Sequence, residues 1–204
     1  MCKMSACTPV QQANESVSAP TTGLNTPSSS LPSGPFSQVV SQIEPVAEKL
    51  CINSKKHLIC DFEILVDASN RTSVNAFQTI KADGRPLVVF TQALLDKAKN
   101  QDELAFILGH EMAHHLEGHL YRQYQSARAG AILLGGITAL TGVSDSLIIP
   151  AQRIGAGIGL QTYSKGFELE ADRLGALLSI RAGFNPTRGS LFFTRIPDPG
   201  DQFL

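Results

Sequence analysis

The stretch that most constrains this chain is Asn100–His119, NQDELAFILGHEMAHHLEGH, which carries His110, Glu111 and His114 in the pattern HExxH. Residues four apart share one face of a helix. His110 and His114 therefore offer two imidazole nitrogens to one metal ion, and Glu111, one step round, reaches a water beside that ion as a general base. The flanking residues predict the helix itself. Asn100 followed by Glu103 reads as an N-cap with its return partner, a looser capping box. Asp102 and Glu103 put negative charge in the first turn, where the helix dipole favours it. Leu104, Ile107, Leu108, Glu111, His114, His115 and Gly118 recur at helical spacing, so the metal face continues an apolar stripe. A chance match to HExxH is expected in about one such chain in a hundred, and the motif calls for a third ligand.

A catalytic zinc takes three protein ligands and keeps one position open. Residues 162–183 read as a helix stopped by Gly183, with Asn185-Pro186 opening a last helix. Within the first lies FELEAD, where Glu168 and Asp172 are four apart and share a face, while Glu170 points elsewhere. Glu168 is the candidate third ligand. Asp172 is placed to accept the free N–H of a ligating His and fix its tautomer. The longer motif HExxHxxGxxH needs Gly at 117 and His at 120; this chain has Glu117 and Leu120, which excludes it. His115 and His119 lie off the metal face of a continuous helix and read as supporting or core groups. His57, between Lys56 and Leu58, reads as exposed.

Composition narrows the rest. A hydrophobic fraction of 43% over 204 residues supports one globular core with tails. A formal net charge of -1 gives no bulk attraction to nucleic acid or to an anionic membrane. Aromatics at 6%, with no Trp, offer no base-stacking surface. No run reaches the roughly 18 apolar residues that span a bilayer. Oligomeric state is left open. Cys51 and Cys60 close a short loop whose spacing fits a disulfide and is wrong for a C-x-x-C zinc clip, which points to an oxidising compartment.

Along the chain, Met4-Ser5-Ala6-Cys7 looks like the end of a bacterial lipoprotein signal without its apolar run. Residues 1–34 form a disordered N-terminal segment; from residue 8 it is rich in Ser, Thr, Pro, Asn and Gln, and a lipidated Cys7 would make it a membrane tether with a reach of about 30 Å. Residues 36–50 predict a helix with Pro45 as a kink. Asp61–Asp67, Val74–Ile80 and Pro86–Thr91 predict strands, the last two joined by a turn at Ala82–Arg85. A short helix at 92–99 leads into the HExxH helix, which residues 121–128 extend. The Gly-rich apolar stretch 129–159 predicts a loosely packed helical hairpin beside the site, each half too short to span a membrane.

LGHEMAHHLEGH with a downstream FELEADRLG resembles the HtpX-like, Oma-like and CAAX-prenyl-protease-like family of zinc metallopeptidases, the gluzincins. Asn75-Ala76-Phe77 resembles that family's NAF element, and DELAFILG its approach to the motif. The similarity runs from about Glu48 to Phe193. It implies an α+β, mainly helical, zincin-like domain over residues 35–204, with a small antiparallel sheet and an HExxH active-site helix. It implies one zinc per chain on His110, His114 and Glu168, Glu111 as catalytic base, and Asp172 in support. It implies that Asn75, Ala76 and Phe77 sit on an edge strand that holds an extended peptide by strand addition. With its Cys pair and linker the chain looks like periplasmic bacterial members, several of them lipoproteins, that act on misfolded envelope proteins. Two features depart from the pattern: Lys81–Arg85 replaces the Gly pair that often follows NAF, and the family's Thr-His-Pro segment has no counterpart up to Leu204. The first expectation is therefore a zinc endopeptidase. The alternative is a catalytically weak or inactive metal-stabilised binding module of the envelope.

Overall fold

The computed structural model describes residue 31 and residues 34–54, 58–140 and 165–196, the stretch 130–140 by its backbone alone. Cys7 and its linker, His57, and residues 141–159 of the expected hairpin lie outside the described residues.

Helix α1, Pro35–Asn53, begins with Pro at its first position, where a missing N–H costs nothing. Phe36, Val39, Val40, Ile43, Ala47 and Cys51 recur at helical spacing and are all buried. Pro45 sits inside the helix without ending it. In the last turn of α1, Cys51 is joined to Cys60 by a disulfide, with Cα atoms 5.7 Å apart. This staples the end of α1 to the approach to the sheet.

The sheet has three strands: β1 Glu63–Asp67, β2 Ala76–Ile80 and β3 Pro86–Thr91, in the order β1-β3-β2. β2 and β3 form the expected antiparallel hairpin, with Phe77 opposite Val89 and Thr79 opposite Leu87. Its turn closes through Gly84 N–H to Lys81 O (2.9 Å) and Lys81 N–H to Arg85 O (2.9 Å). β1, however, runs parallel to β3, Ile64 beside Val88 and Val66 beside Phe90. The sheet is therefore mixed, and the antiparallel expectation is corrected. Eight residues separate β1 from β2, enough to carry the chain past β3 to the far edge. Asp67 Oδ1 takes the Ser69 and Asn70 N–H groups to start this turn. β3 is the central strand, with Val88, Val89 and Phe90 buried, and β2 is left on the edge.

Thr91 caps the short helix α2, Gln92–Lys97, by accepting the Leu94 N–H. Helix α3, Gln101–Glu117, starts at Asn100, whose side chain accepts the Glu103 N–H at 3.1 Å. The Glu103 carboxylate reaches back to the Lys99 N–H (2.8 Å), one residue beyond the expected capping-box partner. Apart from Glu111 and His114, every residue from Asp102 to Leu116 is buried. The single apolar stripe expected from the sequence is thus too narrow: α3 threads the core and packs on α1, β2, β3 and α6.

Gly118, at φ 70°, ends α3 in the left-handed conformation and donates to the His114 and His115 carbonyls. A new helix, α4, His119–Leu140, follows at once. Residues 121–128 therefore belong to a separate helix and do not extend α3. Helix α5 covers residues 165–181 and stops at Gly183 (φ 89°), where Phe184 N–H reaches Ser179 O. Asn185 caps the one-turn helix α6, Pro186–Gly189, and a 3₁₀ segment, Ser190–Arg195, completes the described chain. Among the described residues no helix is long and apolar enough to cross a membrane.

Candidate metal centre

The site forms where α3 and α5 cross, and two glycines permit the crossing. A Cβ on Gly175 would lie 2.7 Å from His110 N, and one on Gly109 would lie 2.9 Å from Gly175 O. Only backbone-to-backbone contact fits there. Glu168 and Asp172 stand seven and three residues before Gly175, on turns of α5 that pass over His110.

Three ligand atoms converge as a result. His110, His114 and Glu168 each present one atom within 4.8 Å of the others. His110 Nε2 and His114 Nε2 are 3.0 Å apart. Glu168 Oε2 is 3.1 Å from His110 Nε2, and its Oε1 is 3.6 Å from His114 Nε2. Tetrahedral zinc, with bonds of roughly 2.0–2.2 Å, sets its ligand atoms about 3.3 Å apart. The observed spacings bracket that value, and two imidazoles with one carboxylate match zinc's donor preference, so the residues fit the ion. Glu168 is 57% exposed at its side chain, which leaves the site open to the cleft.

Asp172 Oδ1 accepts from His110 Nδ1 at 2.9 Å. This directs Nε2 at the convergence point. Burial alone would lower the His110 pKa, but its bonds to Asp172 and Glu168 and the charge of Glu111 push it up to about 10. The same carboxylates would draw a divalent cation. His114 moves the other way, to about 4, through burial and the neighbouring His110 charge.

Glu111 follows His110 and turns toward β2. Burial raises its carboxyl to about 7, against the opposing effects of His110 and of a hydrogen bond from the Gln78 backbone N–H. Gln78 belongs to the edge strand, so the acid lies between the ligand cluster and the strand expected to receive a peptide. Ala76 and Phe77 are on β2, and Asn75 just precedes it, tied to Thr91 by N–H to Oγ1 (3.1 Å) and by its carbonyl (3.0 Å). All three line the same cleft of about 890 Å³ as the ligand cluster, together with Phe106 and Phe193.

The two remaining histidines separate. His115 Nε2 donates to Ile59 O (2.8 Å) and its ring meets Phe62 edge-on, a core role beside the disulfide. His119 turns back onto the site: its Nδ1 is 2.9 Å from His114 Nδ1, and its Nε2 is 3.1 Å from Glu170 Oε2. Arg122 pairs with both oxygens of Glu170. Those bonds hold Glu170 down at about 2, with Arg122 the larger cause and His119 the next. Glu170 lies outside the ligand group, as its place on α5 implies, and meets His119 and Arg122, for which the sequence gives no such contact. The signal that could have found the turn of His119 and Arg122 is Gly118, which breaks the helix and resets the direction of α4.

The profile described as "Peptidase family M48" matches residues 34–193. The chain belongs to peptidase family M48. The match starts one residue before α1 and covers most of the described fold. The chain is 29% identical over 139 residues to the "Beta-barrel assembly-enhancing protease" of Yersinia pestis, covering 63% of this chain and 27% of that protein. It is 30% identical over 145 residues to the protein of that name from Escherichia coli, with the same coverage. A "Putative beta-barrel assembly-enhancing protease" of Vibrio cholerae is 31% identical over 121 residues, 54% of this chain and 24% of the relative. The chain thus spans about a quarter of the length of these relatives.

Proposed function

We propose that the chain is a zinc-dependent endopeptidase that hydrolyses peptide bonds in proteins of the bacterial cell envelope. The observation that carries this reading is the convergence of His110 Nε2, His114 Nε2 and a Glu168 carboxylate oxygen at one point beside Glu111 and an edge strand. Zinc on these three residues would supply Lewis-acid chemistry, activating a water and polarising the scissile carbonyl.

The chain's own groups do the rest. Glu111 takes the proton of the attacking water on its carboxylate and passes it to the leaving amine. The edge of β2 that pairs with no strand among the described residues takes an extended substrate, and its Asn75-Ala76-Phe77 end lines the same cleft as the ligand cluster. Asp172 keeps His110 turned toward the site. An oxidising envelope compartment agrees with the Cys51–Cys60 bond and with the printed name of the relatives. In the same reading a lipidated Cys7 tethers the domain; the mass of Cys7-containing peptides from cells tests that part.

The ligand set is tested by zinc content. Wild type should hold one zinc per chain, and Glu168→Ala should lose it or bind far more weakly. Stoichiometric zinc in both would mean another residue completes the shell. Zinc uptake with peptide binding and no cleavage in the wild type would replace the peptidase with a metal-stabilised binding module.

A further inference from the structure

We infer that His119, with Glu170 and Arg122 behind it, is a positioning residue that fixes the tautomer and direction of His114 and so raises the affinity of the site for zinc. This rests on the reading of His110, His114 and Glu168 as the ligands.

The proton positions follow from which nitrogens face each other. His114 turns Nε2 to the convergence point, so its neutral ring carries the proton on Nδ1. That proton faces His119 Nδ1 at 2.9 Å, which must be the bare acceptor. His119 then carries its own proton on Nε2, where Glu170 Oε2 accepts it at 3.1 Å. Glu170 is held in turn by two N–H groups of Arg122. The chain runs in one direction. Reversing any link would put a proton on His114 Nε2 and take its lone pair away from a metal.

The packing is as specific as the polar chain. His119 is 2% exposed. Its ring stacks on Phe167 at 4.5 Å and 13°, and meets His114 edge-on at 4.9 Å. Arg122 also lies over the Phe167 ring, 4.5 Å from its centre. A straight helix at about 100° per residue would put His119 about 140° round from His114; the left-handed Gly118 turns it back. His110 and His114 are therefore supported differently, one by a carboxylate directly and the other through an imidazole.

The test is zinc affinity of the full chain, measured by competition with a chromogenic chelator, beside the melting midpoint of the zinc-stripped chain. His119→Phe keeps a ring on Phe167 and removes both nitrogens; zinc binding should weaken about 10–100-fold. His119→Asn places an amide oxygen near the lost Nδ1 and should recover most of that loss. Glu170→Ala changes an exposed side chain, so the fold is kept even where the His119 variants fail; it should weaken zinc about 3–10-fold. Wild-type affinity in Glu170→Ala and in a folded His119→Phe overturns the inference. So does a lowered melting midpoint with unchanged zinc affinity, which would make His119 a packing residue only. A wild type that takes up no zinc, or that keeps it in Glu168→Ala, overturns the ligand reading instead and is recognised by those controls.

Discussion

Of the three glutamates on helix α3, Glu103 and Glu111, eight residues apart, are treated in opposite ways. Glu103, 2% exposed, meets the Arg195 guanidinium at 2.6 Å and the Lys99 N–H at 2.8 Å. Burial alone would raise its pKa; these partners outweigh it and hold the carboxyl below the usual range. Asp102 beside it is also buried, pairs with Arg188 and accepts the Asn185 N–H at 2.9 Å. At the other end, Glu111 faces the cleft, has the N–H of Gln78 as its backbone donor, and is raised to about 7. The same residue type on the same helix is thus held as a charge at Glu103 and pushed toward its neutral form at Glu111. Burial raises both carboxyls; the partners outweigh it at Glu103 and fall short of it at Glu111.

The contrast is broken most sharply at Glu111. Glu111→Gln should lower peptide hydrolysis about 10²–10⁴-fold, the usual contribution of a positioned acid–base group, while zinc content and melting midpoint stay near wild type. Activity within a few-fold of wild type would remove Glu111 from the chemistry.

Next in size is the structural end. Arg195→Ala leaves Glu103 buried without its guanidinium and should cost about 3 kcal/mol in urea unfolding. The pH dependence sharpens this. A carboxyl depressed in the folded state contributes stability above its unfolded pKa of about 4.5 and loses it as pH falls through the lower folded value. Wild type should therefore lose stability on acidification below about pH 4.5, and Arg195→Ala should show a shallower acid limb. An identical limb would mean that Arg195 does not hold the charge.

Gly175→Ala tests the crossing that separates the two ends. The new methyl cannot be relieved by a rotamer, because the atoms it meets are His110 backbone. The helices must part, at about 1–3 kcal/mol, and zinc affinity should fall with them. A wild-type zinc affinity would show that α5 need not press on His110. The smallest effect is expected at the sheet rim, where Lys81 and Arg85 both pair with Glu63. Lys81→Ala should change stability by less than about 1 kcal/mol, since the pair is partly exposed and Arg85 remains.

What the sequence alone determined is what local geometry governs. Asn100 as N-cap, Gly183 as a stop, the turn at Ala82–Arg85 and the shared face of His110 and His114 all follow from neighbours in the chain. A helix repeat or a turn acts over a few residues, so spacing suffices. The mainly helical α+β character was legible for the same reason. The parallel β1–β3 pairing was not, because strand order depends on which edge a loop of eight residues reaches. Glu168 and Asp172 could be proposed by spacing within their own helix, but their approach to His110 depends on two glycines more than sixty residues apart in sequence. The return of His119 toward His114 was not legible, because a continuous helix through Gly118 was assumed and one left-handed residue redirects the helix after it. Tertiary packing alone decided which acids became charges held for structure and which were left to work, because a pKa is set by the groups that face it, whatever their distance along the chain.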